Sequence, residues 1–393
     1  MSSTALETLT VGYPGREVSA PGILAAAERL YPMIDAQVPA IREAGKLPDE
    51  LMASLREAGV FRAAFPAAWG GPEMCFVDQV TLIEGLARHD ASVGWACMIL
   101  FDSGFFAGQF PREIAEEIYP SMDMATAVSE YPPGRAVRDG EDYRVTGRFK
   151  FGSGSYNADM FVCPTMLPDG DGLLLDEDGK PVLALFFVPR ERVTIHDTWH
   201  TIGLQGTGST DYSVDNLLVP SRHMCRLDKA AVIEDRPPLS RYHHHLVLSQ
   251  FGVILGLTRH ILDELNAAAR TRVSTSTRQP IKEEYPVLTG VPEAEAMWGA
   301  ARAYVYEYAR ATDEIVFQDR PLTREHNAKL PLVGVALAQL CRRAVDQALE
   351  LVGTDAIHTA RPWEQLYQDF RVAASHVVHR RPYYREAMRR MEH

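Results

Sequence analysis

The sequence predicts a mainly helical α+β protein with three parts in chain order: an N-terminal helical domain, a middle β-barrel or β-sandwich domain, and a C-terminal four-helix bundle. Three observations support this prediction. Apolar residues recur every three or four positions near the start, short apolar runs between turn residues fill positions 125–220, and helical periodicity then continues to the end. With 393 residues, the chain is also longer than one hydrophobic core usually serves.

The N-terminal domain is predicted to cover residues 21–123, after a flexible arm at residues 1–20 that is rich in small and turn-forming residues. Apolar residues at helical spacing indicate its first helix: Ile23, Ala26, Leu30 and Ile34. Pro48 is placed to open another helix, because a missing N–H costs nothing in a first turn, and Gly59 is placed to end it. Residues 91–109 are apolar all round, which predicts a buried helix.

The β-domain is predicted to cover residues 124–230. Alternating or apolar runs indicate strands at 143–146, 160–162 and 182–188. Pairs of aspartate and glycine separate such runs at 139–140, 169–170 and 178–179, and this pair favours tight hairpin turns.

The C-terminal bundle is predicted to cover residues 231–393. Four long segments have helical periodicity, and short connections between them favour a bundle: 242–273, 292–318, 324–353 and 361–390.

The composition excludes several classes of protein. A net charge of −12 disfavours nucleic acid as a partner, and the sequence has neither a secretory signal nor a long apolar run that would span a membrane. Five widely spaced cysteines without a C-x-x-C pair predict free thiols in a cytoplasmic protein. Three consecutive histidines, 243–245, cannot all face one ion from a helix, so no metal site is expected.

Several short motifs resemble one family in the right order. They are the segments 47–51 (LPDEL), 57–60 (EAGV), 66–72 (PAAWGGP), 206–212 (GTGSTDY) and 216–220 (NLLVP). Together they make the chain similar to the acyl-CoA dehydrogenase superfamily over nearly its whole length. The resemblance implies that superfamily's fold, a flavin cofactor and a homotetramer.

Two chemistries compete within that superfamily, and the C-terminal segment favours one of them. Many dehydrogenases carry a catalytic glutamate about eight residues beyond an aspartate that matches Asp369, and this sequence has Val377 there. The monooxygenases of the superfamily place a histidine near this point, which His376 matches. Imidazole titrates near neutral pH and can deprotonate a phenol or stabilise a flavin hydroperoxide. The alternative interpretation is that His376 is a partly buried structural residue of the helix. His379 and His358 are weaker candidates.

The segment 149–155 (FKFGSGS) resembles the monooxygenase stretch beside the flavin. By this resemblance, Phe151, Ser153 and Gly154 contact the flavin, and the Ser153 hydroxyl is a catalytic hydrogen-bond donor. Without the resemblance, a serine at a strand-end turn is more simply a structural residue. The sequence departs from the family pattern at Phe149, where tryptophan is usual, and around Asn157.

Other site residues follow from the same resemblance. Trp95, in an S-x-x-W pattern, is implied to face both flavin and substrate, Ser129 to contact the flavin, and Arg272 to bind its phosphate. The remaining substrate-pocket candidates are Tyr131, Asn157 and His244.

The sequence therefore predicts the oxygenase component of a two-component monooxygenase. It would use reduced FMN or FAD and O2 to hydroxylate a small phenolic, indolic or polycyclic aromatic compound. Because no G-x-G-x-x-G motif for a nicotinamide cofactor follows a strand, a separate NAD(P)H:flavin reductase is expected. The alternatives are an FAD-dependent acyl-CoA dehydrogenase-like enzyme and a non-catalytic flavin-binding relative.

Overall fold

The computed structural model of the protein describes residues 19–129, 131–176, 179–226, 236–241, 246–274, 277–359 and 361–392. Most of the predicted N-terminal arm, and His244 with its neighbouring histidines, lie outside these ranges. The described chain forms two units, each of which is described by itself below. The domain boundaries at 123/124 and 230/231 stay predictions.

The first unit comprises Met1–Met74, Ala96–His200 and Gln205–His243, and the second comprises Cys75–Trp95, Thr201–Leu204 and His244–His393. The chain passes from the second unit to the first within helix α5 (Ala91–Leu100).

The first unit contains a sheet and five complete α-helices among its described residues. The helices are α1 (Ala20–Glu28), α2 (Tyr31–Ala44), α3 (Asp49–Glu57), α6 (Ser103–Ala107) and α7 (Arg112–Ile118). Helix α3 begins after Pro48, and Gly59 follows its end in the left-handed conformation with φ 81°, as predicted. The single helix predicted over 91–109 is instead two helices, because the chain turns at Phe101 and Asp102 between α5 and α6.

The β-structure of the first unit confirms the predicted strands. Eight strands form one mixed sheet in the order β10-β7-β4-β2-β3-β9-β8, with β1 paired to β4. Their bounds are β1 (Thr126–Val128), β2 (Gly134–Asp139), β3 (Asp142–Gly152), β4 (Met160–Met166), β7 (Leu183–Pro189), β8 (Thr194–His196), β9 (Thr210–Val219) and β10 (Met224–Cys225). A separate hairpin joins β5 (Pro168–Asp169) to β6 (Gly172–Leu173).

A buried ion pair joins the turn that follows helix α3 to the segment that precedes strand β1. Arg62 is 0% exposed and Asp123 is 5% exposed. The guanidinium Nε and Nη2 atoms donate to the two carboxylate oxygens at 2.7 and 3.0 Å. Each charge depends on the other, because an unpaired ion in a protein interior is strongly unfavourable.

Replacing Asp123 by alanine is therefore expected to lower the free energy of unfolding by about 3–5 kcal/mol, since the buried guanidinium loses its carboxylate. Urea unfolding followed by circular dichroism measures this. The matched control is Glu116→Ala, which breaks the exposed Arg112–Glu116 pair and should cost at most about 1 kcal/mol. Equal losses in both variants would contradict the role of the buried pair.

The second unit is helical. Its members are α4 (Phe76–His89), α8 (Val247–Thr271), α9 (Tyr285–Phe317), α10 (Arg324–Val352), α11 (Trp363–Ala373) and α12 (Tyr384–Glu392). The backbones of helices α4 and α8 approach each other closely at Gly256 of α8. A Cβ on Gly256 would lie 2.2 Å from the Glu84 carbonyl oxygen, so only glycine fits there.

The prediction of one continuous helix at the C-terminal end of the bundle is wrong. The segment 361–390 is not continuous, because α11 ends at Ala373 and α12 begins only at Tyr384. His376 has φ −60° and ψ 147°, which is extended backbone, and short turns follow it. Pro382, which cannot donate a backbone hydrogen bond, lies in the second of these turns and favours the interruption.

All five cysteines are free thiols. Over the described ranges, no helix is both long and apolar enough to cross a membrane, and no group of three metal-ligating side chains comes together.

Candidate active site

The turn after strand β3 holds Ser153 in the first unit. Ser153 is 6% exposed, and its Oγ lies 2.7 Å from the Oγ of Ser209. Ser209 Oγ in turn lies 2.7 Å from Thr207 Oγ1. The main chain fixes the same geometry, because Gly154 N donates to the Thr207 carbonyl at 2.8 Å. Ser153, Ser209 and Thr207 thus bring three buried hydroxyls together.

Phe151 presents an aromatic ring beside this turn. It is 65% exposed, although most phenylalanines are buried, and its φ of 61° is unusual for a residue with a Cβ. Its ring meets Trp199 edge-on, with ring centroids 6.5 Å apart. Phe149, which replaces the tryptophan usual in the family pattern, is instead fully buried against Tyr212. The exposed ring of Phe151 suits contact with a flat aromatic cofactor.

Ser129 and Tyr131 lie on the loop beside strand β3. Ser129 is buried, and its hydroxyl donates to the carbonyl oxygens of Lys150 and Tyr131. Tyr131 is 69% exposed. Ser129 therefore closes the loop onto the strand that carries Phe151, while its predicted flavin contact and the substrate contact of Tyr131 stay predictions.

Asn157 uses its side-chain amide on the main chain of Leu47. Its Nδ2 donates to the Leu47 carbonyl at 2.9 Å, and its Oδ1 accepts from the Leu47 N–H at 3.3 Å. This pair of bonds fixes the turn after Ser153 against the segment before α3. The predicted contact of Asn157 with substrate stays a prediction.

The second unit brings Trp95 and His376 together. Their ring centroids are 5.7 Å apart at an interplanar angle of 70°, an edge-to-face contact. Trp95 is 8% exposed, whereas His376 is exposed because the chain leaves helix α11 before it. Desolvation by the surrounding protein nevertheless lowers the pKa of His376 to about 4. Its imidazole is therefore neutral at pH 7.

His379 supports this pair from the protein interior. Its ring centroid lies 6.4 Å from that of His376, and its Nδ1 lies 3.2 Å from the Gly334 carbonyl, which identifies Nδ1 as the donor. Desolvation, followed by the nearby His376, lowers the pKa of His379 to about 3. Its Nε2 is buried and finds no hydrogen-bond partner among the described residues.

Arg272 lies at the end of helix α8. Its Nη1 donates to the Val352 carbonyl at 2.8 Å, and its Nε lies 3.4 Å from an Asp355 carboxylate oxygen. These contacts join α8 to the end of α10. The phosphate role of Arg272 stays a prediction, and so does the substrate contact of His244, which is outside the described residues.

Position 377 follows His376 directly. Val377 is 59% exposed and starts the turn Val377–His379. A valine offers no oxygen or nitrogen to accept a proton. The imidazole of His376 next to it is neutral and can accept a proton.

Sequence reasoning named Ser153 but missed the partners of its hydroxyl. Thr207 and Ser209 belong to the GTGS motif at 206–209, whose two hydroxyl residues were a usable signal. Trp199, which contacts Phe151, carried no comparable signal, because only the folded chain brings it to that place. His379, one of the weaker histidine candidates, lies on the inner side of His376.

Comparison with known proteins assigns the family. The N-terminal and C-terminal domain models of acyl-CoA dehydrogenase match residues 25–116 and 248–381. Indole-3-acetate monooxygenase of Pseudomonas putida is 30% identical over 333 residues, which cover 83% of this chain and 82% of that protein. The oxygenase component of the FADH(2)-dependent resorcinol hydroxylase of Rhizobium sp. is 31% identical over 216 residues, 55% of this chain and 51% of that protein.

Solved structures agree on the fold. XiaF from Streptomyces sp., in complex with FADH2 and glycerol, superposes with a TM-score of 0.84 at 20% identity, covering 94% of this chain and 95% of that chain. The HsaA monooxygenase from M. tuberculosis gives a TM-score of 0.83 at 20% identity, with coverage of 94% and 95%.

The chain belongs to the acyl-CoA dehydrogenase superfamily. Within it, the chain is a flavin-dependent monooxygenase related to the oxygenase components of two-component enzymes, which implies a separate reductase. The predicted fold class and family resemblance are thereby confirmed.

Proposed function

We propose that the protein uses reduced FMN or FAD and O2 to hydroxylate a small aromatic compound that carries a hydroxyl or ring N–H group. The observation that carries this proposal is the neutral imidazole of His376 against Trp95, followed by Val377. It combines a proton acceptor and an aromatic surface with the absence of a carboxylate at the position where many dehydrogenases have one. The named substrates of two relatives, indole-3-acetate and resorcinol, are both aromatic.

The residues of the first unit fit a flavin ring. Phe151 exposes its phenyl ring, and Ser153 places a hydroxyl two residues further along the same turn. We assign flavin contact to Phe151, Ser153, Gly154, Ser129, Trp95 and Arg272. When bound, the reduced flavin supplies the electrons with which one oxygen atom of O2 is transferred to the substrate and the other leaves as water.

Ser153 is assigned a hydrogen-bonding role at the reacting oxygen. A hydroxyl held by a fixed partner donates without first reorganising, and such preorganised donors are most effective where water is excluded. Because Ser153 is 6% exposed, little water competes for it.

His376 is assigned the role of accepting a proton or hydrogen bond from the substrate. Because its pKa is about 4, the ring nitrogen is unprotonated throughout the neutral range. Such a weakly basic imidazole orients and polarises a phenolic O–H or indolic N–H more than it removes the proton in advance. Trp95, edge-on to this ring, offers an apolar surface for the aromatic substrate.

Four further properties belong to this proposal. A separate NAD(P)H:flavin reductase delivers reduced flavin by diffusion, the protein works in the cytoplasm, and it assembles as a homotetramer. Tyr131, Asn157 and His244 complete the substrate pocket.

Oxygen incorporation tests the proposed reaction. The protein, an unrelated flavin reductase, NADH and either FMN or FAD are incubated under ¹⁸O2 with indole-3-acetate or resorcinol, and products are analysed by mass spectrometry. We expect at least one compound to gain one ¹⁸O atom only when the protein is present. Peroxide without any oxygenated product, together with turnover of an acyl-CoA thioester, would contradict the proposal and favour a dehydrogenase.

A further inference from the structure

A cavity of about 320 Å³ in the first unit is lined by residues from three segments of the chain, 68–73, 110–112 and 236–241. No described residue assigned above to flavin or substrate lines it. Small-molecule sites usually have volumes of about 300–1,000 Å³ and combine apolar walls with a few convergent polar groups. The cavity is therefore large enough for a compound with one aromatic ring.

The charged side chains of the lining are mostly cations. Arg112, Arg236 and Arg241 face one carboxylate, that of Glu73. Arg112 also pairs with Glu116 at 2.7 Å, but both of these side chains are exposed. The surplus of positive charge is local, because the whole protein has a net charge of −12. Guanidinium groups that converge on a cavity favour an anionic ligand.

The carboxylate of Glu73 is used by the protein itself. It accepts hydrogen bonds from the N–H groups of Ala67 at 2.9 Å and Leu239 at 3.4 Å. Arg241 is close enough to stabilise its negative charge. Glu73 thus fixes the segment 236–241 to the wall of the cavity, and Arg241 is the counter-charge of that carboxylate.

Arg236 is the lining arginine that lacks such an anion among the residues that the structure describes. Its Nη2 atom is buried and has no hydrogen-bond acceptor within those ranges. Desolvation, to which the neighbouring Arg241 adds, lowers the pKa of Arg236. A guanidinium N–H that is buried without an acceptor is unfavourable. A bound carboxylate would supply acceptors for this group and offset its charge.

The segment that carries Arg236 is held in place by hydrogen bonds. Ser240 Oγ donates to the Phe105 carbonyl at 3.1 Å, and Gln109 Nε2 donates to the Ser240 carbonyl at 2.7 Å. Arg241 Nε donates to the main-chain carbonyl of Arg236 at 2.7 Å. A ligand that binds to such a fixed segment loses less affinity to the ordering of the chain.

The other walls of the cavity are apolar. They include Trp69, Phe110, Pro237 and Pro238. The ring of Phe110 is fixed edge-on against Phe187, with ring centroids 5.1 Å apart. Aromatic side chains favour contact with another ring, and a guanidinium fork matches a carboxylate. The lining therefore suits both parts of an aromatic carboxylate.

We propose that this cavity is a binding site for a small aromatic carboxylate, whose carboxylate pairs with Arg236 and whose ring packs against Trp69. The inference goes beyond the proposed reaction, because this binding requires neither flavin nor O2.

Isothermal titration calorimetry of the flavin-free protein with benzoate tests the proposal. Wild type is expected to show saturable binding, and benzamide, which has the same ring without the charge, is expected to bind at least about 10-fold more weakly. Arg236→Gln should weaken benzoate binding about 10- to 100-fold, the usual effect of one lost charge-assisted hydrogen bond. Arg236→Lys should weaken it less, because the charge remains and only the fork is lost. Trp69→Ala should weaken benzoate more than acetate.

Arg144→Gln is the matched control. Arg144 is an exposed arginine of strand β3 that pairs with Asp139, and its replacement should leave benzoate affinity at the wild-type value. Circular dichroism checks the fold of each variant, and Arg236→Lys together with Trp69→Ala gives the same test should Arg236→Gln fail to fold. No saturable binding of benzoate, equal affinity in wild type and the Arg236 variants, or benzamide bound as tightly as benzoate would each overturn the proposal.

Discussion

Replacing Ser153 by alanine is expected to lower the rate of substrate hydroxylation about 10²- to 10³-fold, the usual effect of removing one preorganised donor at a reacting oxygen. Flavin oxidation should continue, so that O2 consumed appears as hydrogen peroxide and not as product. The ratio of oxygenated product to NADH consumed, with peroxide assayed in parallel, measures this uncoupling. The large effect is expected because the buried hydroxyl of Ser153 already has a fixed partner in Ser209.

Ser155→Ala is the matched control, because it deletes another buried hydroxyl of the same turn, one that donates to the Gly152 carbonyl. The ratio of product to NADH should stay at the wild-type value in that variant. Wild-type coupling in Ser153→Ala, with substrate turnover unchanged, would remove Ser153 from the mechanism.

Replacing His376 by alanine is expected to lower hydroxylation of a phenolic substrate about 10²-fold, the lower end of the range for an acid–base group, because this weakly basic imidazole polarises the O–H more than it takes the proton. The pH profile gives a second signature. Because the pKa of His376 is lowered to about 4, protonation of this residue should reduce kcat/KM only as the pH falls towards 4. An ordinary histidine would cause that loss near pH 6.5.

Ser375→Ala is the matched control for His376. Ser375 is the preceding residue, is also exposed, and donates its hydroxyl to the Arg371 carbonyl. Its replacement should leave the rate and the pH profile unchanged. Equal rates in wild type and His376→Ala, or a loss of activity centred near pH 6.5 that disappears in His376→Ala, would contradict the assigned environment of this imidazole.

Much of the fold could be predicted because local patterns specify it. The apolar runs at 143–146 and 160–162 lie in strands, and the run at 182–188 does so from Leu183 onward. Pro48 and Gly59 mark the limits of α3 as expected. The break in the last helix was not predicted. Amphipathic spacing continues through 374–383, and what changes there is the backbone, with an extended His376 and a turn that contains Pro382.

The site residues show the same division between local and long-range information. Ser153 and His376 were found through motifs, but sequence gives neither their partners nor their electrostatics. The depressed pKa of His376 follows from desolvation in the folded chain, where its ring lies against Trp95. The 2.7 Å contact of Ser153 with Ser209 joins positions 56 residues apart, which no periodicity encodes.

The most direct test of flavin-dependent oxygenation is a stopped-flow experiment in which the protein, loaded anaerobically with reduced FMN or FAD, is mixed with O2. The account predicts that the absorbance of oxidised flavin returns in at least two phases, with an oxygen-dependent first phase and a slower second phase that outlasts the oxidation of free flavin. Adding a substrate that gains ¹⁸O should yield product within the same turnover. Oxidation in one phase at the rate of free flavin, with no product formed, would contradict the central claim.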